Sequence, residues 1–110
     1  GHAHEVASRS GVRLVVDGSA LPALPGALDL AAAGMRTGGD RRNREYAEQH
    51  VDSAAAPPHE ALAYDPQTAG GLLVTLPAAK AAVLEATFGD RGLELYRIGS
   101  IETGSGVALL

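Results

Sequence analysis

Apolar residues recur with helical spacing in several segments of this 110-residue chain. The clearest segment begins at Pro77 and ends before Gly89. Its apolar positions have helical spacing and are mixed with the charged residues Lys80 and Glu85. Proline is favoured at the first position of a helix and glycine just after its end, so both boundaries agree with the spacing. The predicted helices are residues 1–9, 25–33, 41–50 and 77–88, with one further helical turn at residues 60–64.

Apolar runs of strand length separate these helices. Residues 12–17 are rich in β-branched side chains and residues 93–101 alternate apolar with polar side chains, and both features are typical of strands. The predicted strands are residues 12–17, 72–76, 93–101 and 107–110, the last two joined through a Gly104-Ser105-Gly106 turn, and residues 53–58 are predicted to be a loop. Helices and strands mixed in this way predict one domain over residues 1–110 with an α+β fold, in which helices cover a sheet.

The composition limits the classes of function. Hydrophobic residues make up 45% of the chain but aromatic residues only 4%, so the predicted core is built from Ala, Leu and Val. A net charge of −4 argues against nucleic acid as the main partner. The absence of Cys excludes thiol catalysis and thiolate metal sites within these residues, and no apolar run reaches the ~20 residues that span a bilayer. The prediction is a cytoplasmic protein that contacts no membrane.

The segment DPQTAGG, residues 65–71, is the first candidate for binding. Asp before Pro favours a turn, and Gly70 and Gly71 leave backbone N–H groups unobstructed ahead of the predicted strand. Two interpretations are open: a cradle in which Thr68, Gly70 and Gly71 contact an anion or substrate, or a tight turn that only leads into the strand. The phosphate-binding patterns GxGxxG and GxxxxGK[ST] do not occur in the sequence.

The segment GGDRRN, residues 38–43, is the second candidate. Gly38 and Gly39 expose backbone N–H groups, Asp40 is predicted to cap the helix that follows, and positive charge comes from Arg41, Arg42 and Arg44. The N-terminus of a helix together with guanidinium groups can hold a phosphate. The alternative interpretation is a capped, solvated surface helix.

Histidines and carboxylates predict no self-contained active site. His2 and His4 are two residues apart, so they point to different sides of a helix, and His50 and His59 have no partner at ligand spacing. We therefore predict no metal site and no catalytic residue within this chain.

Four segments resemble, in the same order, the C-terminal domain of selenophosphate synthetases (selenide, water dikinases). DPQTAGGLL at residues 65–73 is similar to that family's DPQTSGGLL, with Ala69 in place of Ser. GGDRRN is similar to GGTERN: Asp40 and Arg41 depart from that pattern, and Asp40 places a carboxylate where a hydroxyl would have suited an anion. The other two segments are Gly1-His2 with Glu5 and residues 10–12, and ALPALPGA at residues 20–27.

This resemblance implies an AIR-synthetase-like α+β sandwich with a mixed sheet, in a parent enzyme that uses ATP, Mg and selenide to make selenophosphate. The family's catalytic Cys or selenocysteine, essential Lys and Mg-binding Asp residues lie in segments that this chain lacks, so the chain alone is expected to be inactive and without a cofactor. In the parent, a homodimer, this domain is expected to close over the nucleotide site of the N-terminal domain. The residues expected to line that cleft are Gly38, Gly39, Arg42, Asn43, Thr68, Gly70 and Gly71.

Two alternatives remain at this stage. The first is another ATP-dependent enzyme of the AIR-synthetase family, such as AIR synthetase, thiamine-monophosphate kinase or the hydrogenase maturation dehydratase. The second is a non-catalytic binding or assembly module that uses the same fold.

Overall fold

A computed structural model describes residues 1–66 and 70–110 of the chain. Within these residues it contains five α-helices and four strands, and the predicted α+β fold, a sheet packed against helices, is confirmed. The helices are α1 (His2–Ser10), α2 (Ala27–Ala32), α3 (Asp40–Ala47), α4 (Pro57–Tyr64) and α5 (Ala78–Asp90). The strands are β1 (Arg13–Val16), β2 (Val51–Ser53), β3 (Gly99–Glu102) and β4 (Val107–Leu109), and short 3₁₀ turns occur at Gly18–Ala20 and Glu48–His50.

The strands form one mixed sheet in the order β2-β4-β1-β3. β4 runs parallel to β1 and β2, whereas β3 runs antiparallel to β1. Because β1 lies between β3 and β4, the turn at residues 104–106 crosses the start of β1 instead of joining two paired strands. Gly104 and Gly106 have positive φ angles, which glycine adopts without strain, and the C=O of Gly106 accepts a hydrogen bond from the N–H of Leu14 at 3.1 Å.

The core lies between α1 and the two central strands. Ala7, Leu14, Val16, Val107 and Leu109 form its buried cluster, and none of the five is more than 8% exposed. Leu14 and Val16 point to the same side because side chains alternate along a strand, and the small side chain of Ala7 lets α1 approach them closely. The predicted core of Ala, Leu and Val agrees with this cluster.

The strand predictions are wrong at three places. Residues 72–76 form no strand in the described part of the chain, and the strand predicted at 93–101 is confined to β3. An apolar run becomes a strand only where a neighbour supplies its hydrogen bonds, and within the predicted strand β1 pairs with residues 99–101 alone, the pairing ending at residue 102. The polar segment of β2 was not predicted as a strand, yet it pairs with β4.

Residues 71–98, which we call the arm, pack loosely on the rest of the fold. The helix predicted at residues 77–88 is confirmed as α5, but none of its residues is buried by the described part of the chain. Leu72 is 94% exposed and Val83 is 67% exposed. No helix in residues 1–66 and 70–110 combines the length and apolarity that crossing a bilayer requires.

Candidate functional site

The fold brings the two candidate segments of the sequence against each other. The hydroxyl of Thr37 donates to the carboxylate of Asp65 at 2.9 Å, and Nδ2 of Asn43 donates to the C=O of Tyr64 at 2.8 Å. These bonds join the start of α3 to the end of α4, which are far apart in sequence. We call residues 37–43 and 64–66 the loop pair.

Gly39 is the point of closest approach in the loop pair. A Cβ atom built on Gly39 would lie 2.5 Å from Cγ of Pro66, closer than real Cβ atoms come to other heavy atoms. A Cβ on Gly38 would meet no atom of the described residues within 4 Å. Gly39 has a φ of −87°, so it needs no left-handed conformation. Its lack of a side chain therefore makes room for Pro66.

Arg44 links α3 to α4 beneath the loop pair. Its Nε donates to Asp40 at 2.9 Å and its Nη1 donates to Glu60 at 2.6 Å, while its guanidinium carbon lies 4.3 Å from the ring centroid of Tyr64. The other carboxylate oxygen of Glu60 accepts a hydrogen bond from the hydroxyl of Ser53 at 2.6 Å. We call these five residues the arginine network.

The pKa values in the arginine network follow from its hydrogen bonds and its burial. The hydrogen bond from Ser53 and then those from Arg44 lower the pKa of Glu60. Burial alone would lower the pKa of Arg44, but the hydrogen bonds to Glu60 and Asp40 outweigh it and the net shift is upward. Burial, followed by the negative charge of Glu60, raises the pKa of Tyr64. The network therefore holds one cation between two carboxylates beside a neutral phenol.

The predicted capping role of Asp40 is wrong. Gly39 occupies the cap position of α3, and Asp40 lies in the first turn with only 8% of its surface exposed. Its Oδ2 pairs with Arg44, while its Oδ1 has no hydrogen-bond partner among the described residues. A carboxylate four residues before an arginine faces it on a helix, and this pairing occupies Asp40 in place of the cap.

The predicted positive charge reaches solvent at Arg41 and Arg42 but not at Arg44. Arg44 is enclosed by two carboxylates, and exposed Arg41 lies 3.8 Å from Glu45 in a loose ion pair. Arg42 is also exposed, and it has no ion pair among the described residues. Arg42 itself lies in the first turn of α3, where backbone N–H groups lack an intrahelical acceptor.

The remaining predicted site residues have different environments. Gly38 is exposed, and Asn43 uses its amide to hold Tyr64, so in this structure it supports the loop pair. Gly70 and Gly71 are exposed, and a Cβ on Gly71 would meet nothing within 4 Å. Thr68 lies outside the described residues.

Sequence reasoning missed the residues that hold the site together. Thr37, Ser53, Glu60 and Tyr64 were not singled out, although Glu60 and Tyr64 are four residues apart on α4, as Asp40 and Arg44 are on α3. That spacing places each pair on one face of its helix. It does not reveal that the two faces meet, which is a tertiary contact.

A cavity of about 590 Å³ opens beside the loop pair. Asn43 and Asp65 contribute polar groups to its wall, and buried sheet residues such as Leu109 supply the apolar floor. Leu73 and Ile98 bring the two ends of the arm to the same cavity. The loop pair therefore borders a mostly apolar space with a polar edge.

Histidines from separate elements meet near α1. The rings of His4 and His50 stack with centroids 4.1 Å apart and planes 6° apart, and Tyr46 meets His4 edge-on at 5.8 Å. The sequence spacing did not predict this pairing. In the part of the chain that the structure describes, no three His, Cys, Asp or Glu residues are placed to hold a metal ion.

A comparison with curated proteins finds sequence similarity to proteins named selenide, water dikinase. The chain is 36% identical over 110 residues to a selenide, water dikinase of Geobacter sp. (strain M21). This alignment covers all of this chain and 32% of that protein. The chain is also 36% identical over 108 residues to a selenide, water dikinase of Shewanella sp. (strain MR-4), covering 98% of this chain and 30% of that protein. A third, from Nitratidesulfovibrio vulgaris (strain DSM 19637 / Miyazaki F), is 33% identical over 103 residues and is covered over 29% of its length.

The chain thus spans about a third of the length of the curated relatives that it matches. A scan against models of known protein families gives no match. The resemblance noted in the sequence is confirmed by these similarities, which extend well beyond the four segments that first carried it.

Proposed function

We propose that this chain, which belongs by sequence to the selenide, water dikinase family, is the C-terminal part of an enzyme that makes selenophosphate from selenide and ATP. The observation that carries the proposal is the loop pair. Two of the segments in which the chain resembles the family lie apart in sequence, yet they meet at the Gly39–Pro66 contact. Hydrogen bonds that involve the adjoining residues Thr37 and Tyr64 support this contact. Residues that contribute to one binding surface are expected to meet in this way.

In the proposed enzyme, the loop pair binds phosphate groups at the cleft between two domains. The exposed guanidinium of Arg42 and the N–H groups at the start of α3 are the donors that would contact phosphate oxygens. Gly38, Gly70 and Gly71 are exposed, so a ligand can approach their backbone closely. Asn43 supports this surface through Tyr64.

The reacting groups of the proposed enzyme lie in its remaining two-thirds. That part supplies the nucleophilic Cys or selenocysteine, the essential Lys and the Asp residues that bind Mg, so this chain alone is inactive and holds no cofactor. We further propose that the complete enzyme is a cytoplasmic homodimer whose N-terminal domain is the main partner of this chain.

An amide NMR titration of the isotope-labelled chain tests the anion site. We expect inorganic phosphate, and then Mg-ADP, to shift the amide signals of Gly38, Gly39, Gly70 and Gly71 at millimolar concentrations while signals from the sheet stay in place. Arg42→Gln is expected to remove the response, whereas the control Arg9→Gln changes an exposed arginine of α1, outside the loop pair, and keeps it. If neither ligand moves these signals, in this chain or in a longer polypeptide extended at its N-terminus, the proposed binding surface is wrong.

A further inference from the structure

The arginine network lies between the two halves of the loop pair and touches both. Asp40 is the first residue of α3, and Gly38 and Gly39 directly precede it. Tyr64 is the last residue of α4 and immediately precedes Asp65. Arg44 contacts Asp40 through Nε and Tyr64 through the face of its guanidinium group. Arg44 is therefore a side chain that contacts both halves, in addition to the hydrogen bonds made by Thr37 and Asn43.

We propose that Arg44 is a positioning residue of the candidate site: it contacts no ligand, and it sets the spacing of the loop pair on which anion binding depends. This inference rests on the function proposed above. The guanidinium side chain is 28% exposed and is shared between Asp40 and Glu60, so it is not available to an anion at the surface. Its role is to fix where the donors of the loop pair lie.

Tyr64 transmits the effect of Arg44 to the loops. Its ring packs against the guanidinium group of Arg44, while its C=O accepts the hydrogen bond from Asn43 at 2.8 Å. Asp65, the next residue, accepts the hydrogen bond from Thr37 at 2.9 Å. A shift of the Tyr64 ring therefore displaces the acceptors of both bonds that join the halves of the loop pair.

The chemistry requires arginine and not lysine at this position. The planar guanidinium group donates in two directions at once, to Asp40 and Glu60, while its face covers an aromatic ring. A lysine ammonium is a compact charge on a flexible stem, so it keeps the charge but cannot reproduce the three contacts together. Arg44→Lys thus separates the geometry of the network from its charge.

The test compares Arg44→Lys with the control Arg9→Lys, which makes the same change at an exposed position of α1, outside the loop pair. The measurements are the amide spectrum of the unliganded chain, its affinity for inorganic phosphate and its melting temperature. We expect Arg44→Lys to move the signals of Gly38, Gly39 and Asp65 before any ligand is added and to weaken phosphate binding by about three- to thirtyfold, the range that indirect coupling usually covers. Arg9→Lys should leave both the loop signals and the affinity unchanged.

A purely stabilising role of Arg44 would lower the melting temperature but leave the loop signals and the phosphate affinity of the folded chain as in the parent sequence. That result would overturn the inference. If Arg44→Lys does not fold, the same loop signals and phosphate affinity are measured on Glu60→Gln. This substitution removes one carboxylate of the network at nearly constant volume. Should neither the unsubstituted chain nor its N-terminally extended form bind phosphate, the proposed binding surface is wrong, while the unliganded loop signals still decide whether Arg44 positions the loop pair.

Discussion

At Gly39 the lack of a side chain is explained by a neighbour far away in sequence. Pro66 occupies the space that a Cβ would need, and the backbone of Gly39 is in a conformation open to every residue type. From the sequence, Gly38 and Gly39 had the same interpretation, a flexible pair that exposes N–H groups. The structure distinguishes them, because only Gly39 is held against another segment.

Gly39→Ala is expected to destabilise the chain by about 1–3 kcal/mol, the usual cost of overpacking a close contact. The added methyl group would push Pro66 away and weaken the bond between Thr37 and Asp65. Gly38→Ala is the matched control, since its Cβ would meet no atom within 4 Å in the part of the chain that the structure describes. Urea unfolding of the two variants measures the difference, and equal stabilities would contradict the close contact.

Glu60 makes the stability of the chain sensitive to acid. Hydrogen bonds from Ser53 and Arg44 lower its pKa below the ordinary value of 4.5, so folding is favoured when this carboxylate is ionised. The contribution is complete above the pKa of the unfolded chain and is lost as pH falls through the lower pKa of the folded chain. We expect Glu60→Gln to flatten this acid loss of stability, and Ser53→Ala to reduce it in part. Thermal melts between neutral pH and pH 3 provide the comparison. If the melting temperature of Glu60→Gln falls with pH as steeply as that of the unsubstituted chain, the assignment is contradicted.

Helices show how packing outweighs intrinsic propensity. α5 is rich in alanine and has 13 residues, whereas α1 has nine residues and a less favourable composition. Of these two helices, only α1 places a residue, Ala7, in the buried core cluster. Most of the stability of a helix in a protein comes from packing one face, so the shorter helix is the better protected one.

Amide hydrogen exchange is expected to be slower in α1 than in α5. Local opening requires less free energy where few apolar contacts are lost, and the residues of α5 remain unburied by the described part of the chain. Exchange measured by mass spectrometry on peptides from residues 2–10 and 78–90 tests this order. Faster exchange in α1 would show that propensity, and not packing, controls the local stability of these helices.

The whole molecule combines a packed sheet with an arm that is poorly packed. Its radius of gyration is 14.4 Å, larger than the ~13 Å typical of a compact chain of about this size. Large apolar side chains of the arm are exposed, among them Leu72, Val83 and Tyr96. The stability of the isolated chain therefore comes mainly from α1, the sheet and the packing of α4 against α2 and α3.

Substitutions in the arm and in the core are expected to differ sharply in cost. Leu72→Ala removes a side chain that is 94% exposed and should change the free energy of unfolding by less than about 0.5 kcal/mol. Leu14→Ala removes a core side chain that is 4% exposed and should cost about 2–5 kcal/mol. Urea unfolding of the two variants decides the matter. A comparable loss in both would mean that the arm contributes to the cooperative fold.

The amino-acid sequence determined the fold class, most of the helices and the two segments of the candidate site. These features depend on local spacing, on capping glycines and prolines, and on short motifs, all of which can be recognised along the chain. Tertiary structure decided which strands pair, so that polar β2 joined the sheet while apolar residues 72–76 did not. It also decided that Arg44 is enclosed while Arg42 stays exposed, because the carboxylate that completes the enclosure, Glu60, comes from another helix. Strand partners and burial are long-range contacts, and a pattern of neighbouring residues does not contain them.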